Sequence, residues 1–153
     1  MVYNFKEQII REVSPIGNGA HIFTSKEWIG EEVVIIRKIK PSLKEKILQT
    51  LNPYLENIVG VYLYGSYGRG EADRYSDIDL LIITNNKLAV KKSGYEIIAL
   101  EETSIEKAIK IAPLLFYSIL QEAKPIINAE LLNRLKENYQ ISIKNFKSYI
   151  KET

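Results

Sequence analysis

The chain of 153 residues contains no cysteine and only one histidine, one tryptophan and one methionine. Without cysteine there is no disulfide framework, no thiol nucleophile and no thiolate zinc site. A lone His21 cannot build a histidine-rich metal centre. Any bound metal must therefore take oxygen ligands, which favours Mg²⁺, with Mn²⁺ as the alternative. No apolar run approaches the roughly 18 residues of a membrane-spanning helix, and Met1 to Gln8 lacks the apolar stretch of a signal peptide. The expected location is the cytoplasm. Charge of one sign is not in excess either: 21 Lys and Arg against 19 Asp and Glu leave a net charge of +2. That near-balance neither indicates nor excludes nucleic acid, and a basic surface would have to come from local clustering. Internal repeats and low-complexity tracts are missing too.

What is present is a 46% hydrophobic sequence, enough for a core at a length that suits one domain and little more. Residues 1–40 read as a β-rich segment. Ile9 to Val13 and His21 to Phe23 are expected strands around the turn Gly17-Asn18-Gly19. Thr24 and Glu27 have capping-box spacing for one helical turn through Trp28, ended by Gly30. Glu32 to Ile39 is a β-branched strand candidate, closed by Pro41. Residues 41–153 read as a second domain. Ser42 and Glu45 form a capping-box pair ahead of Leu43, Ile47, Leu51 and Leu55, so the spacing predicts a helix over 42–56, kinked or shortened at Pro53.

Strands are expected at Ile58–Tyr64, Asp77–Thr84 and Tyr95–Leu100. The middle one is apolar from Leu80 to Ile83, as in a central strand buried on both faces. The stretch 65–76 reads as a loop with one turn of helix. Thr103 and Glu106 suggest a third capping box, opening a helix to Ala123 that Pro113 divides. Pro125-Ile126-Ile127 reads as extended, and the chain from Ala129 as helical, with Leu131, Leu132, Leu135 and Tyr139 on one side. The class is α+β.

The informative stretch is Gly65-Ser66-Tyr67-Gly68-Arg69-Gly70, followed by Ser76-Asp77-Ile78-Asp79-Leu80. Two residues apart on a strand, Asp77 and Asp79 send both carboxylates to one side. Like charges that close repel, and a bound divalent cation would offset the repulsion. Mg²⁺ is commonly held by one or two carboxylates plus substrate phosphates. Gly65 allows close backbone approach, Ser66 offers a hydroxyl and an N–H to phosphate oxygens, and Arg69 could neutralise triphosphate or pyrophosphate charge. A lone Asp-x-Asp is common on solvated surfaces. Here the pair opens an apolar strand, where unpartnered charge is costly.

Gly65-Ser66, Arg69-Gly70 and Ser76-Asp77-Ile78-Asp79-Leu80 resemble the signature of the DNA polymerase β-like nucleotidyltransferase superfamily, and within it the minimal nucleotidyltransferases (MNT type) of archaea and bacteria. The resemblance covers about residues 42–128, including Ile119 to Ile127 as the helix-then-strand close of such proteins. It implies a short mixed sheet flanked by helices, Mg²⁺ on Asp77 and Asp79, and nucleotide phosphates on Gly65, Ser66, Arg69 and Gly70. The implied reaction moves a nucleoside monophosphate from an NTP, ATP by family habit, to a hydroxyl with release of pyrophosphate. The family also carries a third acid on a following strand, which completes the metal site and can act as base. Glu96 is the candidate, with Glu101 and Glu102 as fallbacks. Family members often accompany a HEPN-type toxin and silence it by attaching AMP, so a toxin partner is implied as well.

Val13 to Phe23 and Lys26 to Ile35 resemble the AbrB/SpoVT-type swapped-hairpin family, in its short archaeal transposon-associated form, although Ser25 stands where a proline is common. That resemblance implies a homodimer and DNA binding, with Arg11, Arg37, Lys38 and Lys40 as phosphate contacts. Physically, a β segment of this size cannot bury a core alone. His21 and Trp28 are read as structural. The alternative to an active transferase is then a non-catalytic DNA-binding, antitoxin-like regulator. Transfer to a small molecule, as in aminoglycoside nucleotidyltransferases, calls for an added acceptor-binding domain that this length does not provide.

Overall fold

Alternation along two inner strands sets the architecture. The structure, a computed structural model, describes residue 2 and residues 4–139. It divides into two units, Met1–Ile39 and Lys40–Thr153.

In the second unit, α1 (Leu43–Leu51) leads through a 3-10 turn (Asn52–Asn57) to β3 (Ile58–Tyr64), α2 (Gly65–Arg69), β4 (Ile78–Thr84) and β5 (Tyr95–Glu101). Then come α3 (Ile105–Ile111), α4 (Pro113–Glu122), β6 (Lys124–Ile127) and a helix, α5, over 129–139. The expected helical continuation past 139 lies outside the described residues. The four strands form one mixed sheet in the order β5-β4-β3-β6. β3 runs antiparallel to both β4 and β6, and β4 runs parallel to β5.

Because side chains alternate along a strand, β3 and β4 feed two cores. Tyr62, Leu81 and Ile83 pack with Ile105, Ile109, Phe116, Ile119, Leu120, Leu131, Leu132 and Leu135, so α3, α4 and α5 cover one face. Val61, Leu63, Leu80 and Ile82 pack with Ile47 and Leu51 of α1 on the other. With both faces covered, Leu80 to Ile83 are buried throughout, as expected of a central strand.

The Ser42–Glu45 capping box forms: the Ser42 N–H donates to Glu45 Oε2 at 2.6 Å, and the Glu45 N–H to Ser42 Oγ at 3.2 Å. Pro53 shortens the first helix rather than kinking it, since the chain tightens to 3-10 geometry from Asn52. Thr103 does not cap α3. A 3-10 turn over Glu102–Ser104 occupies that place, and no side-chain cap bond forms at Ser104. Pro113 divides the long helix as expected and stands at the start of α4.

The first unit holds a hairpin, β1 (Ser14–Ile16) and β2 (Gly19–His21), across a two-residue turn with Gly17 at φ +54°. A 3-10 turn, Lys26–Trp28, is capped by Ser25 instead of Thr24. Gly30 follows at φ +88°. The strands expected at Ile9–Val13 and Glu32–Ile39 do not form. Their β-branched residues favour a pleated surface only when a neighbouring strand supplies one. Val33, Val34, Ile35, Ile36 and Ile39 stand exposed, and no described residue before Ile39 is fully buried.

Candidate active site

Register and parity bring the acids together. Tyr64 pairs with Asp79, and Asp79 with Glu96, so the three form one row across β3, β4 and β5 at one end of the sheet. Asp79 shares the parity of Leu81 and Ile83, and Glu96 that of Ile98 and Leu100. Both belong to the face covered by α3, α4 and α5. Asp77 lies just before β4, two residues upstream of Asp79. Asp79 is half-buried, while Asp77 and Glu96 are exposed. Glu101 pairs with Thr84 at the opposite end of the strands, so Glu101 and Glu102 do not join this group.

The turn out of β3 is built around Asp79. Gly65 has φ +65°, and a Cβ there would overlap the Asp79 carboxylate and lie 2.8 Å from its Cγ. Only glycine combines that left-handed backbone with so close an approach. α2 then runs five residues and ends at Gly70, φ +78°, whose N–H meets the carbonyls of Ser66 and Tyr67. The Glu71 N–H also donates to Ser66 O at 2.8 Å. Gly68 is buried, and a Cβ there would stand 3.1 Å from Leu63 O and 3.2 Å from Glu122 O. α2 thereby lies tight between β3 and the end of α4. Arg69, at the last position of α2, donates from Nε to Glu71 at 2.8 Å and from Nη1 to Glu122 at 2.9 Å.

The loop before Asp77 is locally braced. Asp73 Oδ1 accepts from the Tyr75 N–H at 2.9 Å and from the Ser76 hydroxyl at 3.0 Å, and the Asp73 N–H donates to Ser76 Oγ. These bonds hold the Asp73 carboxyl below its ordinary range. Sequence reasoning missed this pair, and also Tyr64 and Glu122. The Asp-x-x-Ser spacing was a signal for the turn. Glu122 carried no local signal, because 53 residues separate it from Arg69.

Electrostatics mark the row. Burial pushes the Asp79 carboxyl up, and the negative charge of Glu96, a hydrogen bond with its carboxyl and the charge of Asp77 push the same way; Arg69 opposes them. The Tyr64 phenol is pushed up to about 12, by burial first and then by Asp79 and Glu96. Like charge brought close and partial burial both disfavour the charged form of Asp79. Among the described residues, no three His, Asp or Glu side chains already stand in ligating geometry. The donor set is nonetheless all oxygen and like-charged, which suits a hard divalent cation.

A model of the nucleotidyltransferase domain family matches residues 36–142. A protein of Methanocaldococcus jannaschii named "Putative protein adenylyltransferase MJ0141" is 28% identical over 109 residues, 71% of this chain and 98% of that protein. Two crystal structures share the fold. One, of a toxin–antitoxin with AMP-PNP, has a TM-score of 0.54 at 15% identity, over 72% of this chain and 94% of that one. The other, a mutant of the toxin–antitoxin MntA-HpeT, has a TM-score of 0.50 at 12% identity, over 71% and 93%.

Proposed function

This chain belongs to the nucleotidyltransferase domain family, and from that premise we propose that it moves AMP from ATP to a hydroxyl of a partner protein. The observation that carries the reading is the row Tyr64–Asp79–Glu96, with the Gly65 turn closed against Asp79. Asp77, Asp79 and Glu96 would hold Mg²⁺, or Mn²⁺. A divalent cation bound there neutralises triphosphate charge and stabilises the attacking and leaving oxygens. Gly65 and Ser66 present backbone N–H groups and a hydroxyl to the phosphates, and Arg69 and Gly70 complete the phosphate-binding turn. Glu96, exposed and directly beside Asp79, takes the proton from the attacking hydroxyl. The new bond joins the acceptor oxygen to the α-phosphorus. The bond from that phosphorus to the bridging oxygen breaks, and pyrophosphate leaves.

A protein acceptor is supported by the name of the archaeal relative, and a toxin partner by the toxin–antitoxin assemblies that share the fold; a HEPN type follows only from the family resemblance. Incubation with α-labelled ATP, Mg²⁺ and cell extract should label one protein band. Asp77→Ala should abolish both labelling and pyrophosphate release, and retained release would sink the reading.

A second reading concerns the first unit, where Val33 to Ile36 stand exposed and nothing described is fully buried. Apolar β segments of this size need another chain to bury them. Pairing with a second copy, and DNA binding through Arg11, Arg37, Lys38 and Lys40, is the AbrB-like alternative. Light scattering should give about twice the 17.6 kDa chain mass. A monomer throughout the micromolar range would refute the pairing, and a gel shift on the upstream promoter tests the DNA.

A further inference from the structure

The only ion pairs among the described residues lie beside the acid row, and the reaction as proposed leaves part of them without a role. Arg69 is held from two sides by carboxylates of different elements, Glu71 just past α2 and Glu122 at the end of α4. Its Nε and Nη1 are engaged, while among the described residues Nη2 makes no hydrogen bond. A guanidinium bound in this way is fixed in position and plane, and the donors of Nη2 stay available. The backbone is tightly packed on the Glu122 side. Gly68 packs against the carbonyl of Glu122 as well as that of Leu63, so any side chain at 68 would push the two helices apart. Glu122 is also the less exposed partner, with 26% of its side chain accessible against 66% for Glu71. The charge of Arg69 reaches the acid row, since it acts on Asp79 against the neighbouring carboxyls.

We infer that Glu122 is a positioning residue, which holds Arg69 so that its Nη2 donors meet the phosphates of the bound nucleoside triphosphate. A preorganised donor loses less freedom on binding than a free arginine, and affinity follows. The inference rests on the transferase reading and extends it to a residue on a distant helix. Glu71 plays the lesser part, because its side chain is more exposed.

Calorimetry with Mg²⁺ and AMP-PNP tests this without turnover. Glu122→Ala should weaken binding about five- to tenfold, Glu122→Gln less, and Arg69→Ala about thirtyfold. Glu122→Ala added to Arg69→Ala should cost nothing more, because residues acting through one another are not additive. In turnover assays the loss should appear in KM for ATP with kcat little changed. A merely structural brace would lower the melting temperature and leave affinity alone. Additive losses, unchanged affinity in Glu122→Ala, or tighter binding on removal of a competing carboxylate would each overturn the inference. If Glu122→Ala does not fold, Glu122→Gln, which keeps an acceptor for Nη1, carries the same comparison. Wild-type protein that binds no AMP-PNP would overturn the transferase reading along with it, whereas wild-type binding that is indifferent to Glu122 overturns this inference alone.

Discussion

Replacing Gly65 by alanine separates two costs that the structure joins. The first is backbone. An L-residue forced into the left-handed region costs roughly 1–2 kcal/mol, which for a chain of this size lowers the melting temperature by about 2–8 °C. The second is contact. The new Cβ overlaps the Asp79 carboxylate and lies 2.8 Å from Asp79 Cγ and 3.2 Å from its Cβ. Asp79 cannot retreat by moving its backbone, since β4 is paired to β3 on one side and β5 on the other. The carboxyl has to swing out of the row. A displacement of about 1 Å in a reacting group costs on the order of 10²-fold in rate. Gly70→Ala is the control: Gly70 has φ +78°, but a Cβ there meets nothing within 4 Å. It should show the same loss of melting temperature and keep most of its activity. The assay is thermal unfolding alongside label transfer from ATP. If Gly65→Ala transfers within threefold of Gly70→Ala, the contact with Asp79 is not what makes glycine necessary.

Other outcomes follow from the same geometry. Asp79 has a raised carboxyl pKa when folded, so the folded chain binds its proton more tightly than the unfolded one. Stability then falls as pH climbs from the ordinary value of 3.8 through the folded value. Without metal, Asp79→Asn should melt higher than wild type at pH 7, and the difference should vanish below pH 3.8; a lower melting temperature at pH 7 refutes the repulsion. Mg²⁺ should raise the wild-type melting temperature and leave Asp79→Asn unmoved. Ser42→Ala removes a cap far from the acids and should cost about 1 kcal/mol of stability without changing label transfer. An unchanged melting temperature would mean the capping box contributes nothing.

Local signals carried far in this chain. Ile58–Tyr64 was readable to the residue because an apolar β-branched run ends at a glycine, and the Ser42–Glu45 cap because its chemistry is self-contained. The same signals misled where a competing local geometry won. Ser25 displaced Thr24 as a cap, and a 3-10 turn displaced the expected box at Thr103. They misled most in the first unit, where β propensity at Glu32–Ile39 met no partner strand.

The sequence by itself singled out Asp77 and Asp79 with their glycine–serine turn, and announced the family whose model matches residues 36–142, because that pattern is contained in a short local stretch. For a third acid it offered Glu96 first, with Glu101 and Glu102 as fallbacks. Tertiary structure decided where they lie: the parallel register of β4 and β5 sets Glu96 beside Asp79 and carries Glu101 to the far end. Register between strands depends on how two helical layers pack across the whole sheet, and no local spacing encodes it. The same holds for Glu122, which reaches Arg69 only because α4 ends beside the end of α2.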